Sequence, residues 1–131
     1  MPTRKITNNE APSVTTYLSD KPLSGHRLVV IESNGRIDYA SRLSPTHPGR
    51  IIGLSLNAAS MNDNVQVQRA GRVVEPSWSW KVSKPLWLDI DGQLTQVRPT
   101  NGFILVVGVA IALDTILMAN IASSPITYLH G

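Results

Sequence analysis

The sequence predicts an all-β fold, a small β-sandwich or β-barrel of short antiparallel strands preceded by an extended N-terminal arm. Between residues 27 and 121, short apolar segments are separated by Gly, Pro, Asn and Asp, which is the pattern of such folds. Several segments alternate apolar and polar residues, as half-exposed strands do. No long amphipathic segment with a period of 3.6 residues competes with this interpretation.

The chain of 131 residues is the size of one domain. We expect residues 1–22 to form the arm, because they contain Pro2, Pro12 and Pro22 and no sustained hydrophobic period. The arm has enough apolar side chains to order against a partner, and a frayed tail packed on its own domain is the alternative. A β domain is predicted for residues 23–122 and a short tail, frayed or forming an edge strand, for residues 123–131.

The first predicted strands form a hairpin. The segments RLVVI and RIDYA flank Asn34-Gly35, a pair that tolerates the positive φ angles of a type I′ turn. The segment RIIGLSL, interrupted by Gly53, and the segment VQV, with Val65 and Val67 on one face, are the next strands.

The second half of the chain continues the same pattern. SWSWKV is predicted to be a strand, because Trp78, Trp80 and Val82 alternate with polar residues. LWLDI and QLTQV flank a tight turn at Asp91-Gly92.

The most apolar segment, Phe103–Ile121, carries one charge, at Asp114. Its uncharged part ends at Leu113 and is too short for a membrane-spanning helix, which needs about 20 residues. Its Val and Ile content predicts two buried strands joined at Leu113 to Thr115, with a buried helix as the alternative.

A faint internal repeat relates the two halves. The turn glycines Gly35 and Gly92 are 57 residues apart, and the strand glycines Gly53 and Gly108 are 55 apart. The segment beginning at Asp63 then parallels the one beginning at Asp114. We expect either a duplicated β unit, with copies at 27–71 and 86–121, or a chance similarity between generic hairpins.

The sequence contains no recognisable catalytic or metal-binding motif. Cysteine is absent, and His26, His47 and His130 have no partner at metal-ligand spacing. Asp89 and Asp91 flank a turn, where carboxylates usually bond backbone groups. We therefore expect no enzyme activity, no metal and no cofactor.

The charge pattern favours a protein partner. The net charge of +3 comes from residues 1–50, where seven basic residues face four acidic ones. Scattered cations suit an anionic protein surface better than a nucleic-acid groove. We expect no nucleic-acid or membrane partner. The polar first ten residues do not resemble an export signal, which predicts synthesis in a cytoplasm.

Three tryptophans lie within ten residues of each other, at Trp78, Trp80 and Trp87. Buried, they would belong to the core or to a subunit interface, together with the strand residues Val107, Val109 and Ile111. Exposed, they could stack on sugars or bases. Both interpretations stay open at the level of sequence.

The order of these features resembles a family of tailed-bacteriophage structural proteins, the capsid decoration or cement proteins. The resemblance covers residues 24–121 and leaves the arm and the tail outside. Its motifs are structural glycines and strand patterns. They correspond to Gly49–Gly53, Val65–Gly71, Pro76–Trp80, Leu86–Thr95 and Gly102–Ala110, the last with one extra residue.

The resemblance implies a protein of the virion, assembled in the host cytoplasm, that binds the outer surface of the capsid. It implies the major capsid protein as partner, a homotrimer, and a role in holding neighbouring capsomers together. The arm could then add a strand to an exposed edge of the capsid protein. Its expected capsid-binding residues are Thr3, Arg4, Lys5, Ile6, Val14, Tyr17 and Leu18. The alternative is a tail or head-fibre module that binds host glycan through the tryptophans.

Overall fold

The structure, a computed structural model, describes residues 13–129. These residues form antiparallel strands and one short 3₁₀ helix, which confirms the predicted all-β fold. The elements are β1 (Val14–Leu18), β2 (Leu28–Ile31), β3 (Ile37–Tyr39), β4 (Ile51–Ser55), β5 (Asn64–Gln68), β6 (Gly71–Val74), β7 (Pro85–Leu88), β8 (Leu94–Thr95), β9 (Phe103–Ala112), β10 (Thr115–Met118), the 3₁₀ helix Ile121–Ser123 and β11 (Ile126–Tyr128).

The strands form two sheets of the same order. The first sheet is β1-β5-β4-β2-β3 and the second is β6-β10-β9-β7-β8, with β11 added along β9. The five strands of the second sheet therefore follow the same spatial order as the five strands of the first, with β6 in the place of β1, β7 in the place of β2, and so on. Of the two predicted architectures, the structure therefore has the sandwich. A shared strand order is what a duplicated unit would produce, and the duplication itself stays a prediction.

Two glycines occupy equivalent places in the two sheets. The β2–β4 register shifts next to the pair Val29 and Gly53, and the β7–β9 register shifts next to Leu86 and Gly108. A Cβ atom on either glycine would overlap a backbone carbonyl of the neighbouring strand, in β5 or in β10. Both positions therefore need glycine because two strands approach closely there.

The main core lies between the sheets. It contains fully buried side chains from both, including Leu28, Leu54, Leu86, Val107 and Ile116. Fully burying one such side chain stabilises the fold by about 1.5–3 kcal/mol. The apolar residues of β9 and β10 supply much of this core, as their composition predicts.

A second, smaller cluster covers the other face of the first sheet. Val29, Ile37, Val65 and Val67 are fully buried there, beneath Leu23 and other side chains from the connecting loops. The first sheet is thus buried on both faces. Hydrogen bonds between the backbones of Leu23 and Ala59 hold the covering loops together.

The domain begins earlier than the predicted boundary at residue 23. Residues Val14–Leu18 form β1, and each pairs with a residue of β5. The next residue, Ser19, is fully buried and bridges to Ile37 in β3. Residues 14–19 are therefore paired with the β domain, whereas the sequence predicted a separate arm for residues 1–22, with a tail packed on its own domain as the alternative. The remainder of the predicted arm lies outside the described residues.

The predicted SWSWKV strand was also wrong. Residues 77–82 form a loop between β6 and β7. The Trp80 amide donates to the Leu113 carbonyl, and the Lys81 amide donates to the Gln96 side chain. The alternation of serine and tryptophan imitates a strand because both indoles turn toward the core. The tail was expected to be frayed or to add a strand, and its residues Ile126–Tyr128 form the strand β11, which pairs with β9.

The segment Phe103–Ile121 folds as the predicted pair of strands. Strand β9 ends at Ala112 and β10 begins at Thr115, so the join lies where Asp114 interrupts the apolar run. Within residues 13–129, no helix is long and apolar enough to cross a membrane.

We expect one histidine, His47, to make the stability of the fold depend on pH. His47 lies in the loop between β3 and β4, where its Nδ1 accepts a hydrogen bond of 2.9 Å from the Ser41 amide. Partial burial lowers the pKa of His47 below its ordinary value of 6.5. As the pH decreases through 6.5, His47 therefore takes up a proton more readily in the unfolded chain than in the folded chain. The free energy of unfolding should fall over this pH range.

We expect the unfolding midpoint in urea to be lower at pH 5.5 than at pH 7.5. The variant His47→Gln should reduce this difference, because glutamine offers an acceptor that does not titrate. An unchanged difference in the variant would assign the pH dependence to other groups. NMR titration of the imidazole checks the direction of the pKa shift directly.

Candidate interaction surfaces

Two of the three tryptophans pack together with a histidine. The ring centroids of Trp78 and Trp80 are 5.5 Å apart, and His26 meets Trp78 edge-on at 5.5 Å. Both indoles are partly buried against the core between the sheets. The Trp80 Nε1 atom is buried and has no hydrogen-bond partner among residues 13–129.

A groove of about 390 Å³ runs beside Trp78 and is lined mainly by polar atoms. In this groove Glu75 lies 3.7 Å from His26 Nδ1 and accepts hydrogen bonds from the Ser77 hydroxyl and amide. The bonds from Ser77 hold the pKa of Glu75 below its ordinary value. The carboxylate is therefore ionised near neutral pH and is engaged by its own loop.

Trp78 and Trp80 are partly buried, and together they line a second cavity of about 230 Å³. A sugar stacks on an open aromatic face, whereas these rings contact each other, His26 and the core. The arrangement is more suited to fixing the β6–β7 loop than to stacking on a ligand.

Trp87 lies apart from the other two, on the outer face of the second sheet. This outer face consists of the side chains that point away from the core; it comprises Arg72, Val74, Pro85, Trp87, Val106, Val109 and Leu117. Three of its apolar residues are 43–51% exposed, namely Val74, Val106 and Leu117. The outer face thus carries apolar side chains on four strands.

The structure separates the residues predicted for a core or subunit interface. Val107 is fully buried in the core. Trp87 and Val109 belong to the outer face and are partly exposed, and Ile111 is 39% exposed near the end of β9. Plain alternation would place Val107, Val109 and Ile111 on one face, because they occupy every second position. The register shift beside Gly108 breaks the alternation, so Val107 faces the core and Val109 faces outward.

The residues predicted for the capsid-binding arm fall into two groups. Thr3, Arg4, Lys5 and Ile6 lie outside the described residues. The other three are in β1. Tyr17 packs against the smaller cluster, Leu18 is 41% exposed, and Val14 is partly buried.

An acidic cluster on the first half was missed by the sequence reasoning. Carboxylate oxygens of Asp20, Glu32 and Asp38 lie within 4.8 Å of one another. Lys21 pairs with Asp38 at 3.1 Å and Arg50 with Glu32 at 3.8 Å, so the cluster is part of an ion-pair network. Its members come from three segments that only the folded first sheet brings together.

Comparison with known proteins shows a likeness of fold. No protein-family model matches the chain, and no curated protein matches it significantly. The fold is similar to the crystal structure of the head fiber gp8.5 N base in bacteriophage phi29, with a TM-score of 0.50 and 17% sequence identity. The match covers 90% of this chain and 98% of that chain. At this identity the likeness concerns the fold, which is thus one that a phage head protein also adopts.

Proposed function

We propose that this protein is a virion structural protein that binds the outer surface of a phage head and holds neighbouring capsomers together. The fold likeness to a phage head fibre base, over nearly the whole of both chains, is the observation that carries the proposal. The sequence features that resemble capsid cement proteins agree with the proposal, and no protein-family model matches the chain. The described residues form a two-sheet body with a buried core, which can present surfaces to a shell.

In this proposal the partner is the major capsid protein, and the protein acts as a homotrimer. The overall affinity of three linked sites can exceed the affinity of one site by about 10²- to 10⁴-fold, so each single contact can be weak. The basic residues Arg4 and Lys5 and the apolar Ile6 would then bind the shell from the arm.

The second candidate is a base that attaches a fibre to the head. The likeness to a head fibre base supports this role as well as it supports cementing. Glycan binding through Trp78 and Trp80 has less support, because both rings pack against the core. Binding to capsids without any effect on capsid strength would favour the fibre role over the cementing role.

Removing residues 1–12 tests the proposal. We expect the shortened chain to stay folded, because the hydrogen bonds described for residues 13–129 remain, but to bind purified capsids at least about tenfold more weakly. Co-sedimentation with capsids and circular dichroism measure the two effects. Unchanged occupancy would refute the role of the arm, whereas failure of the full chain to sediment with capsids would refute the proposed function.

A further inference from the structure

Equivalent faces of the two sheets differ in burial. By the matched strand pairings, Ile51 and Leu54 of β4 occupy the places of Val106 and Val109 in β9. Ile51 and Leu54 are at most 5% exposed because they face the second sheet, whereas Val106 is 43% exposed. The outer face is thus apolar like the equivalent face of the first sheet, but among residues 13–129 no other sheet covers it.

The second half of the chain has most of the exposed large apolar side chains, and three of them, Val74, Val106 and Leu117, lie on the outer face. Of the twelve large apolar side chains that are exposed in the described residues, nine lie between Val74 and Tyr128. Apolar residues scattered singly need no explanation, but a contiguous patch usually marks an interaction site. On the outer face, Leu117 pairs with Val109, which pairs with Pro85, so three apolar residues form one row across the sheet.

Cations border this apolar row at both ends. Arg72 is the cross-strand neighbour of Leu117 at the β6 edge, and Lys84 precedes Pro85 at the other end. Lys81 and Lys84 also line a cavity of about 410 Å³ beside Trp87.

None of the three cations forms an ion pair within residues 13–129. The carboxylate at the β9–β10 turn, Asp114, accepts a hydrogen bond from the Thr115 hydroxyl. This hydrogen bond leaves the negative charge of Asp114 in place, so three cations and one carboxylate lie around the row, and the border is basic on balance.

We propose that the outer face docks onto an apolar patch bordered by carboxylates on the protein surface of the head shell. Complementary charge selects such a partner and fixes its register. Two copies of this face meeting about a twofold axis would bring the same cations together, which is unfavourable. Nucleic acid would leave the apolar row without a matching surface. The inference rests on the proposed function and assigns a contact surface to it.

The test compares three variants for binding to purified capsids. Leu117→Glu places a carboxylate in the apolar row, and Arg72→Glu with Lys84→Glu reverses the border. Met61→Glu is the matched control, since Met61 is 57% exposed on the first half. We expect the first two variants to bind at least about tenfold more weakly, the control to bind normally, and all three to keep the wild-type melting temperature.

Each other outcome is decisive. Normal binding by the Leu117→Glu variant, with wild-type binding intact, would overturn this inference and leave the proposed function standing. A smaller oligomer of this variant in light scattering would assign the face to contacts between copies. Loss of binding to duplex DNA, rather than to capsids, would assign it to nucleic acid. Absence of capsid binding by the wild-type chain would overturn both proposals.

Discussion

Replacing Gly108 with alanine is expected to lower the free energy of unfolding by about 3 kcal/mol. The added Cβ would overlap the Leu117 carbonyl and would lie 2.9 Å from the Cα atom of Met118. Both atoms belong to the backbone of β10, which is held between β6 and β9 and cannot move aside cheaply. Chemical denaturation monitored by tryptophan fluorescence measures the loss.

Gly35→Ala provides the control, because Gly35 has a φ of +82° but no atom within 4 Å of an added Cβ. This substitution should cost only the conformational penalty, about 1 kcal/mol. The Gly53→Ala variant should resemble Gly108→Ala, since Gly53 meets β5 in the same way. Equal losses at Gly35 and Gly108 would contradict the close approach of β9 and β10.

Deleting residues 1–20 is expected to abolish cooperative unfolding. The deletion removes β1, whose five residues pair with β5, and the buried Ser19. It also uncovers the buried side chains Val65 and Val67 and leaves β5 as a new free edge, which favours aggregation. Thermal unfolding by circular dichroism and the binding of a hydrophobic dye measure the result.

The deletion of residues 1–12 is the matched control, because it keeps β1 and all of its described pairings. A difference between the two deletions would separate the structural role of Val14–Leu18 from any binding role of the preceding residues. Similar melting temperatures for both would contradict the contribution of β1 to the fold.

Local signals in the sequence predicted much of the fold. The pair Asn34-Gly35 and the pair Asp91-Gly92 located two hairpins. Both residues of the second pair have positive φ angles, as a type I′ turn needs, whereas in the first pair only Gly35 does, so the type I′ turn predicted there was wrong. The glycines Gly53 and Gly108 located equivalent strand distortions. These features depend on neighbouring residues, which is why a sequence without coordinates can show them.

Features that depend on distant residues were not predictable in this way. Strand β1 is short and lies in a proline-containing segment, and its partner β5 is about fifty residues away in the chain. Residues 77–82 alternate serine and tryptophan like a strand, but they form a loop whose indoles pack against the core instead of pairing with a neighbouring strand. For the candidate site, Trp87 and Val109 were predicted as interface residues from the sequence. The position of Arg72 and Lys84 beside them follows only from the strand register, which the sequence does not show.

The order of the strands has a consequence for synthesis on the ribosome. The first sheet ends at Gln68 and the second begins at Gly71, so every strand of the first is made before any of the second. A nascent chain could complete the first sheet while the face that carries Leu28 and Leu54 still lacks its cover. Because exposed apolar surface of this kind promotes aggregation, the two halves must mature as one unit, even if they once arose from a single repeat.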